Sequence, residues 1–147
     1  ILRSIEIKKE VVEKDPLEKN IRKTLNFGHT LGHALETWSL KNDEESLLHG
    51  EAVAIGMILE SYLSVKLSQL KSVEFEEIHT QISRYFKPYQ ITDAFMNHLE
   101  KLLSQDKKKS GNELNITFVT TIGKSIINQQ CNLEDIKESI IFYKETI

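Results

Sequence analysis

The sequence predicts a mainly α-helical domain that carries one small β-hairpin. Two observations indicate this multi-helical fold. Apolar residues recur at helical spacing along most of the chain, and two short segments rich in β-branched residues follow each other near the C-terminus. The length of 147 residues suffices for one domain with a core and is too short for two ordinary ones. We therefore expect residues 1–147 to form one domain.

Three helices are expected in the first half of the chain. The opening helix should stop near Pro16, because proline cannot continue a helix interior. A second helix is predicted over residues 17–39, followed by a polar loop at 41–46. Residues 50–70 are strongly apolar and should form a buried helix that crosses the core.

Within the second predicted helix, Gly28 and Gly32 lie four residues apart and share one face. Each glycine lowers helix propensity by roughly 1 kcal/mol, so we interpret the pair as a place where another backbone comes close.

Two amphipathic helices should follow over residues 75–86 and 92–104. Pro88 separates them, and Thr92 is a suitable N-cap for the second. Residues 106–112 are polar and are predicted to form a turn.

The β-hairpin and one last helix should complete the chain. Residues 114–120 and 125–128 have strand character and are joined through Gly123. Asn132, with an acidic residue three positions on, is expected to cap the final helix.

Composition excludes several classes of function. Hydrophobic residues make up 39% and charged residues 28% of the chain, which is typical of a folded globular protein. A net charge of -3 gives no support for nucleic acid or an anionic membrane as a partner. One cysteine, Cys131, cannot form an internal disulfide, so a reducing cytoplasm is expected. Because the chain begins at Ile1, we expect a piece of a longer protein.

One predicted helical stripe has the residue types of a functional site. On a continuous helix, Arg22, Asn26, His29 and His33 fall within roughly 60° of arc. A fixed cation, an amide and two imidazoles are suited to holding an anion and a metal ion. The alternative for Arg22 and Asn26 is a solvated surface pair.

His29 and His49 are candidate zinc ligands, since catalytic zinc sites combine about three protein ligands with an open position. Ordinary surface histidines are the alternative. His33 follows His29 at the i,i+4 spacing of paired ligands, yet a general base or a phosphate donor would fit equally well. No acidic residue has a diagnostic spacing for the third ligand; the nearest in sequence are Glu36, Asp43 and Glu51.

The remaining polar residues carry weaker signals. The run at residues 107–109 is either a second cationic patch or a solvated loop, and Lys8 and Glu18 resemble plain surface charges. His79 and His98 have no obvious partners, and we interpret both as structural. Cys131 has no cationic neighbour in sequence to lower its pKa, which excludes it as a nucleophile candidate.

Residues 22–36 (RKTLNFGHTLGHALE) and 49–57 (HGEAVAIGM) together closely resemble the signature of 3-dehydroquinate synthases, the shikimate-pathway members of the sugar-phosphate cyclase family. The resemblance extends upstream through residues 5–18 and downstream from the DKK motif at 106–108 to Gly123. It implies that the chain is the helical C-terminal domain of a two-domain enzyme, whose N-terminal nucleotide-binding domain is absent from these residues.

The resemblance also implies site residues. His29 and His49 match the histidine ligands of a catalytic zinc or cobalt ion, and the remaining ligand would be a glutamate upstream of this chain. Six further residues match the family's active site: the catalytic residues His33, Lys8 and Glu18, and the substrate-binding residues Arg22, Asn26 and Lys107, with Lys108 the alternative to Lys107.

The implied enzyme is an NAD- and metal-dependent carbon–oxygen lyase. It would convert 3-deoxy-D-arabino-heptulosonate 7-phosphate, a phosphorylated sugar acid, into 3-dehydroquinate and phosphate, as part of aromatic amino acid biosynthesis. At full length we expect a cytoplasmic homodimer with no nucleic-acid or membrane partner. The 147 residues alone should be inactive, because they lack the nucleotide domain and one metal ligand.

Two alternatives remain open from the sequence. A sister cyclase or a metal-dependent polyol dehydrogenase of the same architecture would act on a substrate without the carboxylate. A non-catalytic helical module would tolerate loss of His29, and added metal would not raise its stability.

Overall fold

The computed structural model describes residues 2–110 and 114–147, without the side chains of residues 105–110. A 3₁₀ helix at Ile21–Asn26 separates the first two α-helices, and a β-hairpin precedes the last. The elements are α1 (Leu2–Lys14), α2 (His29–Asn42), α3 (His49–Lys66), α4 (Ser72–Tyr85), α5 (Asp93–Ser110), β1 (Asn115–Thr121), β2 (Lys124–Gln130) and α6 (Leu133–Thr146). The predicted fold class of helices plus one small hairpin is confirmed.

The prediction of one helix over residues 17–39 is wrong. The chain forms the 3₁₀ helix, breaks at Gly28 with φ of +80°, and only then enters α2. The Asp15 carboxylate explains part of the break. It accepts the backbone N–H groups of Lys19, Asn20 and Arg22 at 3.0, 2.7 and 3.1 Å, which replaces helical hydrogen bonding.

The predicted polar turn at residues 106–112 is also wrong over most of its length. Helix α5 continues through Ser110, well past the expected end at residue 104. Lysine, glutamine and serine are tolerated in an exposed helix, so polarity alone did not mark the boundary. Residues 111–113 lie outside the described residues.

Helix α3 lies at the centre of the domain. It packs against α2, α4, α6 and β1, as its apolar sequence predicted. Its own Leu59 and Leu63 are almost fully enclosed, as are Leu35, Ile116 and Ile140 from the elements around it. Among the described helices, none combines the length and apolarity needed to span a bilayer.

The capping predictions for the C-terminal half are confirmed. The Thr92 hydroxyl accepts the N–H of Phe95 at 3.2 Å, and the Asn132 side chain accepts the N–H of Asp135 at 2.8 Å. The strands pair antiparallel, and Gly123 takes φ of +87° in the turn between them. The last helix therefore begins at a locally fixed position directly after β2.

Backbone contact between α2 and α3 confirms the interpretation of the two glycines. A Cβ atom on Gly56 would lie 2.7 Å from the nitrogen of Gly32 and would overlap the carbonyl oxygen of Gly28. A Cβ on Gly32 would lie 3.0 Å from Val53 Cα. The two helices run antiparallel, and only glycines allow this approach.

The start of α2 is also fixed by a buried side chain of α3. The Glu60 carboxylate is fully enclosed and accepts the N–H of Gly28 at 2.7 Å and that of Leu31 at 3.3 Å. These N–H groups belong to the first turn, where a helix has no internal acceptors and where a negative charge is favoured. Glu60 thus sets the position at which His29 enters the helix.

Candidate metal centre

Three histidines converge where α2 and α3 cross. His29 is the first residue of α2, His33 lies one turn later, and His49 is the first residue of α3. Their ring centroids are 5.4 to 5.7 Å apart, and one nitrogen from each ring lies within 4.8 Å of the other two. Imidazole nitrogens gathered this closely are candidate ligands for one metal ion.

The glycine contact explains why these histidines meet. Because α2 and α3 are antiparallel and touch at Gly28, Gly32 and Gly56, the second turn of α2 lies opposite the start of α3. A histidine at the first residue of α3 therefore reaches the face of α2 that carries His29 and His33. The approach of the backbones makes the cluster compact.

Two of the rings are oriented by hydrogen bonds at Nδ1. His29 Nδ1 lies 3.2 Å from the carbonyl oxygen of Phe27, and His49 Nδ1 lies 3.1 Å from Glu36 Oε2. Both partners are acceptors, so in a neutral imidazole these contacts favour the tautomer with hydrogen on Nδ1 and the lone pair on Nε2. Within the described residues, His33 has no corresponding Nδ1 acceptor.

Electrostatics favour the neutral, metal-binding form of His29. Its partial burial lowers the pKa, and nearby His33, His49 and Lys8 lower it further, against an opposing contribution from the Phe27 carbonyl. A neutral imidazole is the form that binds a metal. Lys8 contributes to this lowering from an exposed position on α1.

The acidic residues closest in sequence have other partners. Glu36 bonds to His49, Glu51 accepts the N–H of Leu48 at 2.8 Å, and Asp43 accepts the Tyr89 hydroxyl at 2.8 Å. In the part of the chain that the structure describes, the donor set at the crossing is three imidazoles. That set fits zinc or cobalt(II), and it leaves room for a further ligand.

Arg22 and Asn26 do not continue the histidine stripe, so the prediction of one helical face is wrong. The break at Gly28 places both residues in the 3₁₀ helix, where they gather around Glu18. Asn26 Nδ2 donates to Glu18 Oε1 at 2.8 Å, and Arg22 Nε lies 3.6 Å from Glu18 Oε2. This second polar cluster joins three of the predicted site residues.

A polar pocket of about 220 Å³ adjoins that cluster. Glu18 and Asn26 line it with four residues that the sequence analysis missed: Lys23, Asn115, Thr117 and Asn128. Lys23 Nζ donates to Asn128 Oδ1 at 3.0 Å, across 105 positions of sequence. No local pattern marks a contact between the 3₁₀ helix and β2.

Other predicted residues fall outside these clusters. Lys107 and Lys108 lie in α5, and their side chains are outside the described residues. His79 stacks on Phe75 and His98 packs on Trp38, so both have the structural contacts expected of them. Burial raises the pKa of Cys131 to about 12, in keeping with its exclusion as a nucleophile.

Replacing Asp15 by asparagine is expected to lower the thermal midpoint and to flatten its acid dependence. Burial raises the pKa of Asp15, but three backbone N–H groups and the charge of Arg22 outweigh it, and the net pKa is lowered. A lowered folded-state pKa adds stability above the ordinary value of about 3.8, and that stability is lost as the pH falls through the folded value.

Thermal midpoints measured from neutral pH to pH 2 test this expectation. Glu13→Gln is the control, because it removes the same charge from an exposed position. An acid dependence that is identical in wild type and Asp15→Asn would contradict the role of Asp15.

Comparison with known proteins gives a consistent family assignment. The family model described as 3-dehydroquinate synthase C-terminal matches residues 1–109. The 3-dehydroquinate synthase of Parabacteroides distasonis is 38% identical over 143 residues, which are 97% of this chain and 40% of that protein. The enzyme of Thermodesulfovibrio yellowstonii is 37% identical over 94% of this chain and 38% of its own length. The chain thus spans about 40% of these curated relatives.

Solved structures share the fold at lower identity. A 2-epi-5-epi-valiolone synthase from Streptomyces hygroscopicus, with NAD⁺ and Zn²⁺ bound, superposes with a TM-score of 0.79 at 21% identity, covering 99% of this chain and 39% of that one. A 2-deoxy-scyllo-inosose synthase, complexed with carbaglucose-6-phosphate, NAD⁺ and Co²⁺, gives a TM-score of 0.75, also at 21% identity, covering 92% and 39%.

Proposed function

We propose that this chain, which belongs to the family of 3-dehydroquinate synthase C-terminal domains, supplies the metal- and substrate-binding part of a 3-dehydroquinate synthase. The whole enzyme would convert 3-deoxy-D-arabino-heptulosonate 7-phosphate into 3-dehydroquinate and phosphate. The observation that carries the proposal is the cluster of His29, His33 and His49, in which one nitrogen from each ring lies within 4.8 Å of the other two and two rings are hydrogen-bonded at Nδ1.

His29 and His49 would hold zinc or cobalt through Nε2, and a carboxylate from outside these 147 residues would complete the ligand set. When bound, the metal polarises a substrate hydroxyl and the carbonyl formed from it. Burial of the His29 ring keeps the imidazole neutral, as binding requires.

His33 is the group best placed to move a proton beside the ligands. Its side chain is exposed and its ring lies 5.4 Å from that of His29 and 5.7 Å from that of His49. An imidazole can take a proton from a hydroxyl and return it. Lys8, a fixed cation near the cluster, would stabilise the negative charge that develops there.

The cluster around Glu18 would hold the substrate's polar groups. Glu18 fixes the Arg22 guanidinium and the Asn26 amide in place, and a positioned guanidinium binds a carboxylate in two-pronged fashion. The adjoining pocket offers both donors and acceptors, as a polyhydroxylated ligand needs. Lys107, or Lys108 in its place, would add a cation from α5.

The remaining components belong to the full-length protein. NAD would bind an N-terminal nucleotide-binding domain and supply the redox chemistry. We propose a cytoplasmic homodimer in the shikimate pathway, with no nucleic acid or membrane as partner, and we expect the 147 residues alone to be inactive.

A sister cyclase is the second candidate, because both solved relatives named above are cyclases of other products. Their likeness to this chain is one of fold, at 21% identity. The discriminating feature is the substrate carboxylate, which Arg22 and Asn26 would contact.

Phosphate release by the full-length protein tests the two candidates. With NAD⁺ and Zn²⁺, we expect turnover of the heptulosonate phosphate and at least about 100-fold less with a heptulose phosphate that lacks the carboxylate. This preference follows because a sugar without the carboxylate cannot form the charged hydrogen bonds that the Arg22 guanidinium would make with the substrate. Turnover of the carboxylate-free sugar alone would favour the sister cyclase.

A further inference from the structure

We propose that Glu36 is a positioning residue that holds His49 in the Nδ1–H tautomer with Nε2 directed into the histidine cluster. This inference rests on the proposed function for its consequence, the strength of metal binding. Its structural content, the orientation of one ring, can be tested without metal.

Glu36 belongs to the same face of α2 as the two histidines of that helix. Residues 29, 33 and 36 are related by steps of four and three, so their side chains point to one side. The antiparallel contact at Gly32 and Val53 brings the next turn of α2 opposite the start of α3. Glu36 Oε2 consequently lies 3.1 Å from His49 Nδ1.

His29 and His49 both begin a helix, but their rings use different kinds of acceptor. His29 Nδ1 bonds to the backbone carbonyl of Phe27, two residues before it. His49 Nδ1 bonds instead to a side chain of the neighbouring helix, Glu36 of α2. The orientation of the His49 ring therefore depends on a contact between two helices.

The carboxylate has a second effect besides orientation. The His49 side chain is 55% exposed, whereas that of Glu36 is 25% exposed. The hydrogen bond therefore holds the more exposed His49 ring against the more enclosed Glu36 carboxylate. A carboxylate that accepts the Nδ1–H also makes the imidazole a stronger metal ligand. Loss of such a partner typically costs about 10- to 100-fold in metal affinity.

Glu51 provides a matched control. It lies two residues from His49 and carries the same charge, but its carboxylate accepts the N–H of Leu48 at 2.8 Å and caps α3. Glu51→Gln removes that charge and keeps an acceptor for the cap. Glu36→Gln likewise removes a charge and keeps an acceptor for Nδ1–H, whereas Glu36→Leu removes both.

The first measurement is the tautomer of His49 in the metal-free full-length protein. Histidine ¹⁵N NMR, at a pH where the imidazoles are neutral, should show Nδ1–H for wild type, Glu51→Gln and Glu36→Gln. In Glu36→Leu we expect a mixture with the Nε2–H form. Nε2–H in wild type, or an unchanged tautomer in Glu36→Leu, would overturn the proposal.

The second measurement is zinc affinity, by competition with a chromophoric chelator. We expect Glu36→Gln to bind about tenfold more weakly than wild type and Glu36→Leu up to about 100-fold more weakly, with Glu51→Gln within about twofold. An equal loss in Glu51→Gln and Glu36→Gln would mean that charge alone acts, and would overturn the positioning role. Wild type that shows Nδ1–H but binds no zinc would contradict the proposed function and leave the tautomer result standing.

Discussion

Replacing His29 by alanine is expected to abolish metal binding and to lower turnover of the full-length protein by about 1000-fold or more. A bound metal contributes several kcal/mol of transition-state stabilisation. Because each 1.36 kcal/mol corresponds to a tenfold change in rate, losing the metal should cost about three or more factors of ten. His29 is the most enclosed of the three cluster histidines, and its ring is oriented by the Phe27 carbonyl. Without it, His33 and His49 are what the described residues keep of the cluster.

Zinc content after dialysis and phosphate release measured in parallel test this expectation. Wild type should also gain thermal stability with added zinc by mass action, and His29→Ala should not. His98→Ala is the control, because that histidine packs on Trp38 and bonds to the carbonyl of Ala94, outside the cluster. A His29→Ala protein that retains stoichiometric zinc and wild-type turnover would exclude the metal site described here.

Gly56→Ala should destabilise the domain by about 3 kcal/mol, or roughly 10 °C in the thermal midpoint. The added Cβ would overlap the carbonyl oxygen of Gly28 and lie 2.7 Å from the nitrogen of Gly32. These atoms are backbone, so relief requires α2 and α3 to move apart. That separation would also pull His49 from His29 and His33, and we expect weaker zinc binding as a second effect.

Gly50→Ala is the matched control within the same helix. A Cβ at that position meets no atom within 4 Å. Alanine favours a helix over glycine by up to about 1 kcal/mol, so this variant should be as stable as wild type or slightly more so. Thermal unfolding of the three proteins decides the matter: equal midpoints for Gly56→Ala and Gly50→Ala would show that the close contact does not hold the helices together.

The sequence was sufficient to predict the helices with strong apolar periodicity and the two capped starts at Thr92 and Asn132. The prediction of one helix over residues 17–39 failed because a single residue, Gly28, interrupts a pattern that otherwise looks helical. Polar and apolar spacing around residue 28 is compatible with a continuous helix, and the left-handed φ of Gly28 depends on the Glu60 carboxylate and on contact with α3. Those are tertiary causes that no local pattern contains.

The candidate site was also only partly predictable from the sequence. His29, His33 and His49 were singled out by residue type and spacing, and the structure brings them together. The contact between Lys23 and Asn128 and the bond between Glu36 and His49 join different elements of the fold. In sequence, Glu36 is one of three acidic residues near enough to be a third ligand, whereas in the structure its carboxylate bonds to Nδ1 of the candidate ligand His49. The spacing of residues along the sequence does not distinguish a metal ligand from a residue that bonds to a metal ligand.

We expect the glycine contact between α2 and α3 to build a divalent-metal site from His29 and His49. Anomalous diffraction at the zinc edge, from crystals of the full-length protein grown with zinc, would locate the ion. One strong peak should lie about 2.0–2.1 Å from Nε2 of both histidines. Zinc bound through Nδ1, or bound elsewhere while these rings stay free, would contradict it.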